Sequence, residues 1–399
     1  MPERTDLLIV NPNARIPAPF AAIEPPLWAG LCASWWGADL MDAEAEGWTV
    51  EQTAQAIRLS GHKNVIIVVM GNNPSVSSTP KMPVAEALAD AISDLHVSLT
   101  GLHPIAAGSK YPVIKQPFKG MPMMPWRKLK LDKYRAHNWH CLDDVDKRSP
   151  YASIYTSLGC PFSCSYCNIH ALYGGERIVQ FRPIKDVLTE VETLVTLGVR
   201  NIKIWDELFT LKEDRVIEIC QGLKLYDLNL WAYARLDTVT TKMLKAMKAA
   251  GVNWLAYGFE DLMDPKFSVR APDIIKMTRD AGINIIANFM FGLPGETEDD
   301  RKRSLDFAVR QNFEYVNFYV ALPYPGSQWW TDLPDKPTDW SRFSQYAPNM
   351  YGDPKVIKFK DKAFQMYFRR PEYLSMIARK FGPKAEAHIK EMVAWNIRG

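Results

Sequence analysis

From Tyr151 onward the sequence repeats one unit, a short apolar run followed by a helical stretch, and this restricts the chain to a parallel sheet wrapped by helices. The candidate strands are Ala152–Thr156, Asn201–Trp205, Leu230–Ala234, Asn253–Gly258, Ile283–Phe291 and Tyr315–Val320. Helical patterns fill the gaps at 184–197, 213–224, 239–250, 272–281 and 298–311. Gly198, Gly251 and Gly282 each follow a helix, where a left-handed C-terminal residue belongs. Six such units make an open sheet or an incomplete (β/α) barrel, and either way the polar residues at the carboxyl ends of the strands are the ones to inspect.

The first hundred residues alternate in the same manner. Strand-like runs occur at Leu7–Val10, Ala38–Met41, Val65–Met70 and His96–Thr100, and helical stretches at 27–36, 50–60 and 83–94. This predicts a doubly wound domain of the Rossmann or flavodoxin type, with ligands at the carboxyl ends of its strands, where Asn11-Pro12 and the loop from Gly71 to Thr79 stand. After Gly101 no convincing fifth strand and helix precede residues 104–150, which open with five prolines between Pro104 and Pro125. The reading is an α/β chain in four parts: residues 1–108 a doubly wound domain, 109–150 a linker, 151–322 a partial (β/α)6 barrel, and 323–399 a helical cap with helices near 359–369 and 371–395.

Six cysteines stand at positions 32, 141, 160, 164, 167 and 220. Three of them fall in the loop after the first barrel strand, Gly159-Cys160-Pro161-Phe162-Ser163-Cys164-Ser165-Tyr166-Cys167, spaced CxxxCxxC. Clustered thiols in a large chain with no apolar leader and no long apolar run speak for metal or redox chemistry in the cytoplasm, not a disulfide framework and not a membrane. Three thiolates on one loop can ligate three irons of a [4Fe–4S] cube and leave the fourth iron open. A tetrahedral zinc site would want a fourth donor, for which His170 is the candidate.

These residues resemble the radical S-adenosylmethionine (SAM) superfamily. The resemblance implies that Cys160, Cys164 and Cys167 bind the cluster, that the open iron takes the amino and carboxylate groups of SAM, and that Tyr166 lies near the adenine. An electron from a flavodoxin- or ferredoxin-type donor would then release a 5′-deoxyadenosyl radical. The remaining strand ends agree. Asp206-Glu207 matches the acidic position that receives the methionine ammonium, Arg235 is placed to meet a carboxylate, and Glu260 to accept from ribose hydroxyls. The turn Phe291-Gly292-Leu293-Pro294-Gly295-Glu296-Thr297 resembles one recurrent in the superfamily, with Glu296 and Thr297 explained as a helix cap.

A doubly wound domain ahead of such a barrel resembles the cobalamin-dependent branch, through Leu8-Ile9-Val10-Asn11-Pro12, Glu24-Pro25-Pro26-Leu27, Thr100-Gly101-Leu102-His103-Pro104 and the tail Ala363–Leu374. The resemblance implies a corrinoid near Asn11, Pro12, Leu27, Gly71, Ser75 and Ser77. No DxHxxG segment offers a histidine to cobalt, and His103 reads as a loop residue with ordinary hydrogen bonds. The implied activity is methylation of an unactivated carbon or phosphorus of a small molecule or peptide, with two SAM per turnover and no residue assigned to catalysis. Cyclisation or rearrangement is the alternative. A methylthiotransferase would need three cysteines in the N-terminal domain, which holds only Cys32. A non-enzymatic scaffold would need a four-ligand zinc site and no charged residues at the barrel mouth. The last stretch, 341–399, carries 12 basic and 5 acidic residues, but no nucleic-acid motif accompanies it.

Overall fold

A computed structural model describes residues 6–14, 18–71, 77–115, 120–260, 262 and 265–395. The N-terminal part is a parallel sheet of β1 (Leu7–Asn11), β2 (Asp39–Asp42), β3 (Asn64–Val68) and β4 (His96–Thr100), in the order β2-β1-β3-β4. Alternation along the strands decides which helix covers which face. Ile9, Ile66 and Val68 pack with Leu27, Trp28 and Leu31 of α1 (Leu27–Trp36). Leu8, Val10, Val65 and Ile67 pack instead with Ala54 and Ile57 of α2 (Val50–Ser60) and Ala85 and Leu88 of α3 (Met82–Ala91). That two-sided burial makes the sheet doubly wound. Where a fifth strand would stand, the chain makes a single parallel bridge, Leu99 to Val113. His103 is not in a loop; it is buried in the short helix α4 (Leu102–Ala107).

The second sheet holds β5 (Tyr151–Ile154), β6 (Asn201–Ile204), β7 (Asn229–Ala234), β8 (Val252–Gly258), β9 (Asn284–Phe291) and β10 (Tyr315–Val320), all parallel and in sequence order. Between them run α5 (Ile184–Thr196), α6 (Glu213–Leu223), α7 (Thr241–Ala249), α8 (Pro265–Asp280) and α9 (Glu298–Gln311). The order β5 to β10 without a crossover is that of a barrel left open between its first and last strands. Gly198, Gly251 and Gly282 take φ of 86°, 90° and 78° after their helices. One expected boundary moves: α8 starts at Pro265, not near 272, and carries Pro272 inside it.

The C-terminal helices are α10 (Pro354–Phe368), α11 (Pro371–Phe381) and α12 (Pro383–Ala394). The expected single helix over 371–395 is broken at Gly382, whose φ of 91° precedes Pro383. Asp353 caps the amide of Lys355 and starts α10 one turn earlier than its apolar pattern suggests. The segment 120–150 is more than a spacer, because Trp126, Tyr134 and Trp139 are all buried. Among the described residues no helix is long and apolar enough to cross a membrane.

Among the described residues one ion pair crosses from the N-terminal part into the barrel. Glu24, in the loop before α1, accepts from Lys203 Nζ of β6 at 3.2 Å on each oxygen. Both side chains are 1% exposed. Ser153 Oγ donates to Glu24 Oε2 at 3.4 Å, and Lys203 Nζ lies 4.8 and 4.7 Å from the rings of Trp205 and Trp231. Removing one member of such a pair strands the other charge, which costs about 3–5 kcal/mol, whereas removing both costs much less. We expect Lys203→Met to lower the urea midpoint sharply and the Glu24→Gln/Lys203→Met double substitution to recover most of the loss, followed by tryptophan fluorescence.

Candidate active site

The interior of the barrel is layered by strand register. Ser153, Lys203, Trp231, Trp254 and Asn284 are neighbours across β5 to β9. Two residues further along each strand stand Tyr233, Ala256, Ile286 and Tyr315. Tyr155 and Trp205 continue that level at the ends of β5 and β6, stacked at 5.5 Å with their rings 5° from parallel. The next level holds Gly258, Asn288 and Asn317, followed by Met290 and Tyr319. Because side chains alternate with period two, this set shares one face of the sheet.

The cysteine loop leaves β5 through Thr156 and Ser157. A two-residue antiparallel pairing, Ser157–Leu158 with Gln180–Phe181, closes its base. Two adjacent carboxylates after β6 hold it. Asp206 accepts from the amide of Thr156 at 2.6 Å, from Thr156 Oγ1 at 2.5 Å and from Ser157 Oγ at 2.6 Å. Glu207 accepts from the amide of Gly159 at 2.9 Å. Burial pushes the Asp206 carboxyl up, against the pull of its hydrogen bonds from Thr156 and Ser157, and pushes Glu207 up to about 8. Gly159 itself has φ of 87°, and a Cβ there would overlap the carbonyl of Ile178.

Cys160, Cys164 and Cys167 form no disulfide among the described residues and are half-buried. Burial pushes the Cys160 thiol up, while the amide of Phe162 donating toward it pulls the other way. The amide of Cys167 donates to the carbonyl of Cys164 at 3.0 Å, which folds the second half of the loop. His170 Nε2 is 2.6 Å from the carbonyl of Phe162, so it braces this loop from behind. Among the described residues no three His, Cys, Asp or Glu side chains converge to hold a single metal ion. Three thiols spread along one loop are the donor set for a multi-iron cluster, where each sulfur serves a different iron. The loop fits that group.

The other expected residues are distributed as follows. The Arg235 guanidinium lies over the ring of Phe162 in the cysteine loop, 4.1 Å from its centroid. Its bidentate carboxylate partner is Asp237, at 2.9 and 3.0 Å. The Glu260 carboxylate folds back over Gly258, where a Cβ would collide with it. Tyr166 is half-buried, and Ser165 beside it accepts from the amide of Trp329 at 3.0 Å. Thr297 caps α9 with Asp300 in a capping box, and Glu296 accepts from the amide of Gly292, as the turn suggests. Sequence reasoning missed Asn288 and Asn317, whose side chains bond to each other at 2.9 Å on the inner face. Their signal was a polar residue inside each of two apolar runs.

At the N-terminal strand ends the geometry is tighter than expected. Asn11 donates to Asp42 at 2.7 Å and accepts from Lys81 Nζ at 2.6 Å, and Lys81 pairs with Glu44 at 3.0 Å. Pro12, Leu27 and Gly71 are buried, and the Gly71 amide donates to Ser78 Oγ at 3.1 Å. Ser77 is half-buried, and Ser75 lies outside the described residues. His103 Nδ1 is 3.0 Å from Thr79 Oγ1, and its ring meets Trp340 edge-on at 4.7 Å. Its Nε2 is buried with no hydrogen-bond partner among the described residues, and burial pushes the imidazole down to about 4.

Residues 154–308 match the protein family described as the Radical SAM superfamily. The chain is 25% identical over 375 residues, 82% of its length, to an uncharacterized methyltransferase of Pyrococcus horikoshii, covering 77% of that protein. Its fold matches the radical SAM methyltransferase TsrM of Kitasatospora setae, solved with cobalamin and a [4Fe-4S] cluster bound, with a TM-score of 0.60 at 15% identity over 81% of this chain and 76% of that one. It also matches the cobalamin-dependent radical enzyme OxsB, with a TM-score of 0.56 at 16% identity over 94% of this chain and 56% of that one. The chain spans about half the length or less of other curated relatives, which include an anaerobic magnesium-protoporphyrin IX monomethyl ester cyclase of Rubrivivax gelatinosus.

The geometry of Gly159 generates a direct test. Gly159→Ala forces a left-handed alanine, about 1–2 kcal/mol from the backbone alone, on top of the overlap with Ile178. We expect it to lower the iron bound per chain after anaerobic reconstitution while the far-ultraviolet circular dichroism stays unchanged. By its matched sequence and its fold, the chain carries a radical SAM domain at residues 154–308 within an architecture shared with cobalamin-dependent radical SAM enzymes.

Proposed function

We propose that the chain is a cobalamin-dependent radical SAM methyltransferase that modifies an unactivated carbon or phosphorus of a small molecule or peptide. The observation that carries this reading is the loop after β5, with three half-buried cysteines whose entry is clamped by Asp206 and Glu207. In this reading Cys160, Cys164 and Cys167 hold a [4Fe–4S] cluster. Glu207, Arg235 and Glu260 bind SAM, with Tyr166 beside the adenine. Asp206, with both oxygens committed to Thr156 and Ser157, positions the loop and leaves SAM to its neighbour.

When bound, the cluster with SAM supplies a carbon radical and the corrinoid supplies a transferable methyl group. The protein's part is to orient and to exclude water. Arg235 stacked on Phe162 ties the mouth of β7 to the cysteine loop. The buried, stacked pair of Tyr155 and Trp205, with Trp231 one level below, closes the barrel beneath it. Residues 1–108 serve as the corrinoid domain, 109–150 as the connection, 151–322 as the barrel and 323–399 as the cap. For the corrinoid the strand ends offer Ser77 at the rim. Asn11, Pro12, Leu27 and Gly71 shape that edge from within. An external flavodoxin- or ferredoxin-type donor supplies the electron, and the cytoplasm is the expected setting.

Methyl transfer predicts a stoichiometry. Each methylated product should appear with one 5′-deoxyadenosine and one S-adenosylhomocysteine, and a deuterated SAM methyl group should reach the product, as read by mass spectrometry. Product accompanied by 5′-deoxyadenosine alone would instead assign the chain to cyclisation or rearrangement.

A further inference from the structure

The basic excess of the last sixty residues serves neither the cysteine loop nor the two sheets. On α10 it is gathered on one face. Lys355, Lys358 and Lys362 in the helix and Arg369 just after it are all exposed, and their spacing of three, four and seven residues sets them in one stripe. Met366, 48% exposed, stands in the same stripe. Among the described residues none of the four cations forms an ion pair. Acids close by are engaged elsewhere: Glu298 of α9 pairs with Lys302 at 2.9 Å, Asp361 with Lys360 at 3.2 Å, and Asp353 caps the amide of Lys355. Like charges three and four residues apart repel, and cations near a helix N-terminus oppose its dipole. Other helices match their exposed cations, Lys276 with Asp280 in α8 and Lys390 with Glu386 in α12. So α10 keeps a pattern that its own stability disfavours.

The stripe has a definite place relative to the cysteine loop. α10 packs on the outer wall of the barrel, where Phe359 meets Phe291 edge-on at 5.0 Å and Tyr367 meets Phe318 at 6.1 Å. Its first turn lies at the carboxyl ends of β9 and β10, because Asp353 and Val356 line one small cavity with Gly292, Val320 and Trp329. The amide of Trp329 donates to the carbonyl of Ser165, which stands between Cys164 and Cys167. Trp329 thus bridges the start of the stripe to the cysteine loop. From Lys355 to Arg369 the stripe runs about 21 Å along the outside of the barrel, at the rise of a regular helix.

We propose that the exposed face of α10 is the docking surface for the electron donor, a small carrier protein with an acidic contact face. The inference rests on the proposed function, and it adds where the donor binds. One electron passes from the reduced carrier to the cluster; the carrier is oxidised by one electron, and no bond forms or breaks. Cations spread along a rigid helix suit an acidic protein face, which they attract at long range and hold in register. Met366 adds an adaptable apolar contact at the centre of the stripe. A small anion would meet only one or two of these side chains. A carrier on the outer wall stays beside the cysteine loop and leaves the barrel mouth to the substrate.

The test titrates oxidised flavodoxin into the full reconstituted chain by calorimetry at rising salt, and follows reduction of the chain by reduced flavodoxin or by dithionite in stopped flow. Binding should weaken as salt rises. Lys358→Glu/Lys362→Glu should weaken binding and slow reduction by flavodoxin about tenfold, while dithionite reduces both chains at the same rate. These substitutions relieve repulsion within α10, so the helix should persist by circular dichroism. Lys242→Glu/Lys245→Glu makes the same change of charge on exposed positions of α7 and should leave both measurements within about twofold. No binding, binding indifferent to salt, an equal loss in the α7 variant, or slowing with dithionite as well would overturn the proposal. A chain that takes up iron but does not dock overturns this inference and leaves the proposed function standing. A chain that takes up no iron overturns both, having nothing for a donor to reduce.

Discussion

The site depends on two successive carboxylates placed by the end of β6. Asp206 gathers the amide and hydroxyl of Thr156 and the hydroxyl of Ser157, and Glu207 takes the amide of Gly159. Together they bind four donors in the residues just before Cys160. A nine-residue loop with three cysteines has no hydrophobic core of its own, and these bonds fix where it begins. Their burial makes them strict. A buried carboxylate that loses its donors pays the desolvation cost uncompensated, so the loop and the strand end are held in a single arrangement.

A second constraint couples the N-terminal part to the barrel. The loop after β1 delivers Glu24 to Lys203, 179 residues away in the chain, across a continuous apolar core that includes Trp28 and Tyr155. Trp28 meets Tyr155 edge-on at 6.3 Å, and Tyr155 stacks on Trp205. The helix that covers one face of the first sheet is therefore packed directly on the inner layer of the second. On the far side, Trp340 of the C-terminal segment rests against His103, and Gly326 fits between Ala106 and Ala171 with no room for a Cβ. The strand ends of both sheets and the cysteine loop are thus tied together by packing as well as by charge.

Much of this was legible in the sequence because it follows local periodicity. The six barrel strands stand where their apolar runs are, and the glycines after α5, α7 and α8 end those helices. The CxxxCxxC spacing marked the candidate site by itself. What was hidden depends on contacts distant in sequence or on backbone exceptions. Pro272 looked like a start of α8 and is an interior residue, and Gly382 divides what reads as one amphipathic helix. Trp126, Tyr134 and Trp139 lie in a segment without periodicity, so nothing local announced their burial. Glu24 and Lys203 come from separate segments. Asp206 and Glu207 were visible as an acidic pair, but only the fold shows that Asp206 takes the donors of Thr156 and Ser157 while Glu207 takes the amide of Gly159.

The central claim is that three thiolates of one loop hold an iron–sulfur cluster beside a corrinoid site. The most direct measurement is the anaerobic absorbance spectrum of the chain reconstituted with iron, sulfide and hydroxocobalamin and freed of unbound material. The account predicts a broad iron–sulfur band near the visible edge together with the sharper corrin bands, and about four irons per chain. A colourless protein that retains zinc, or one that carries neither chromophore, would contradict it.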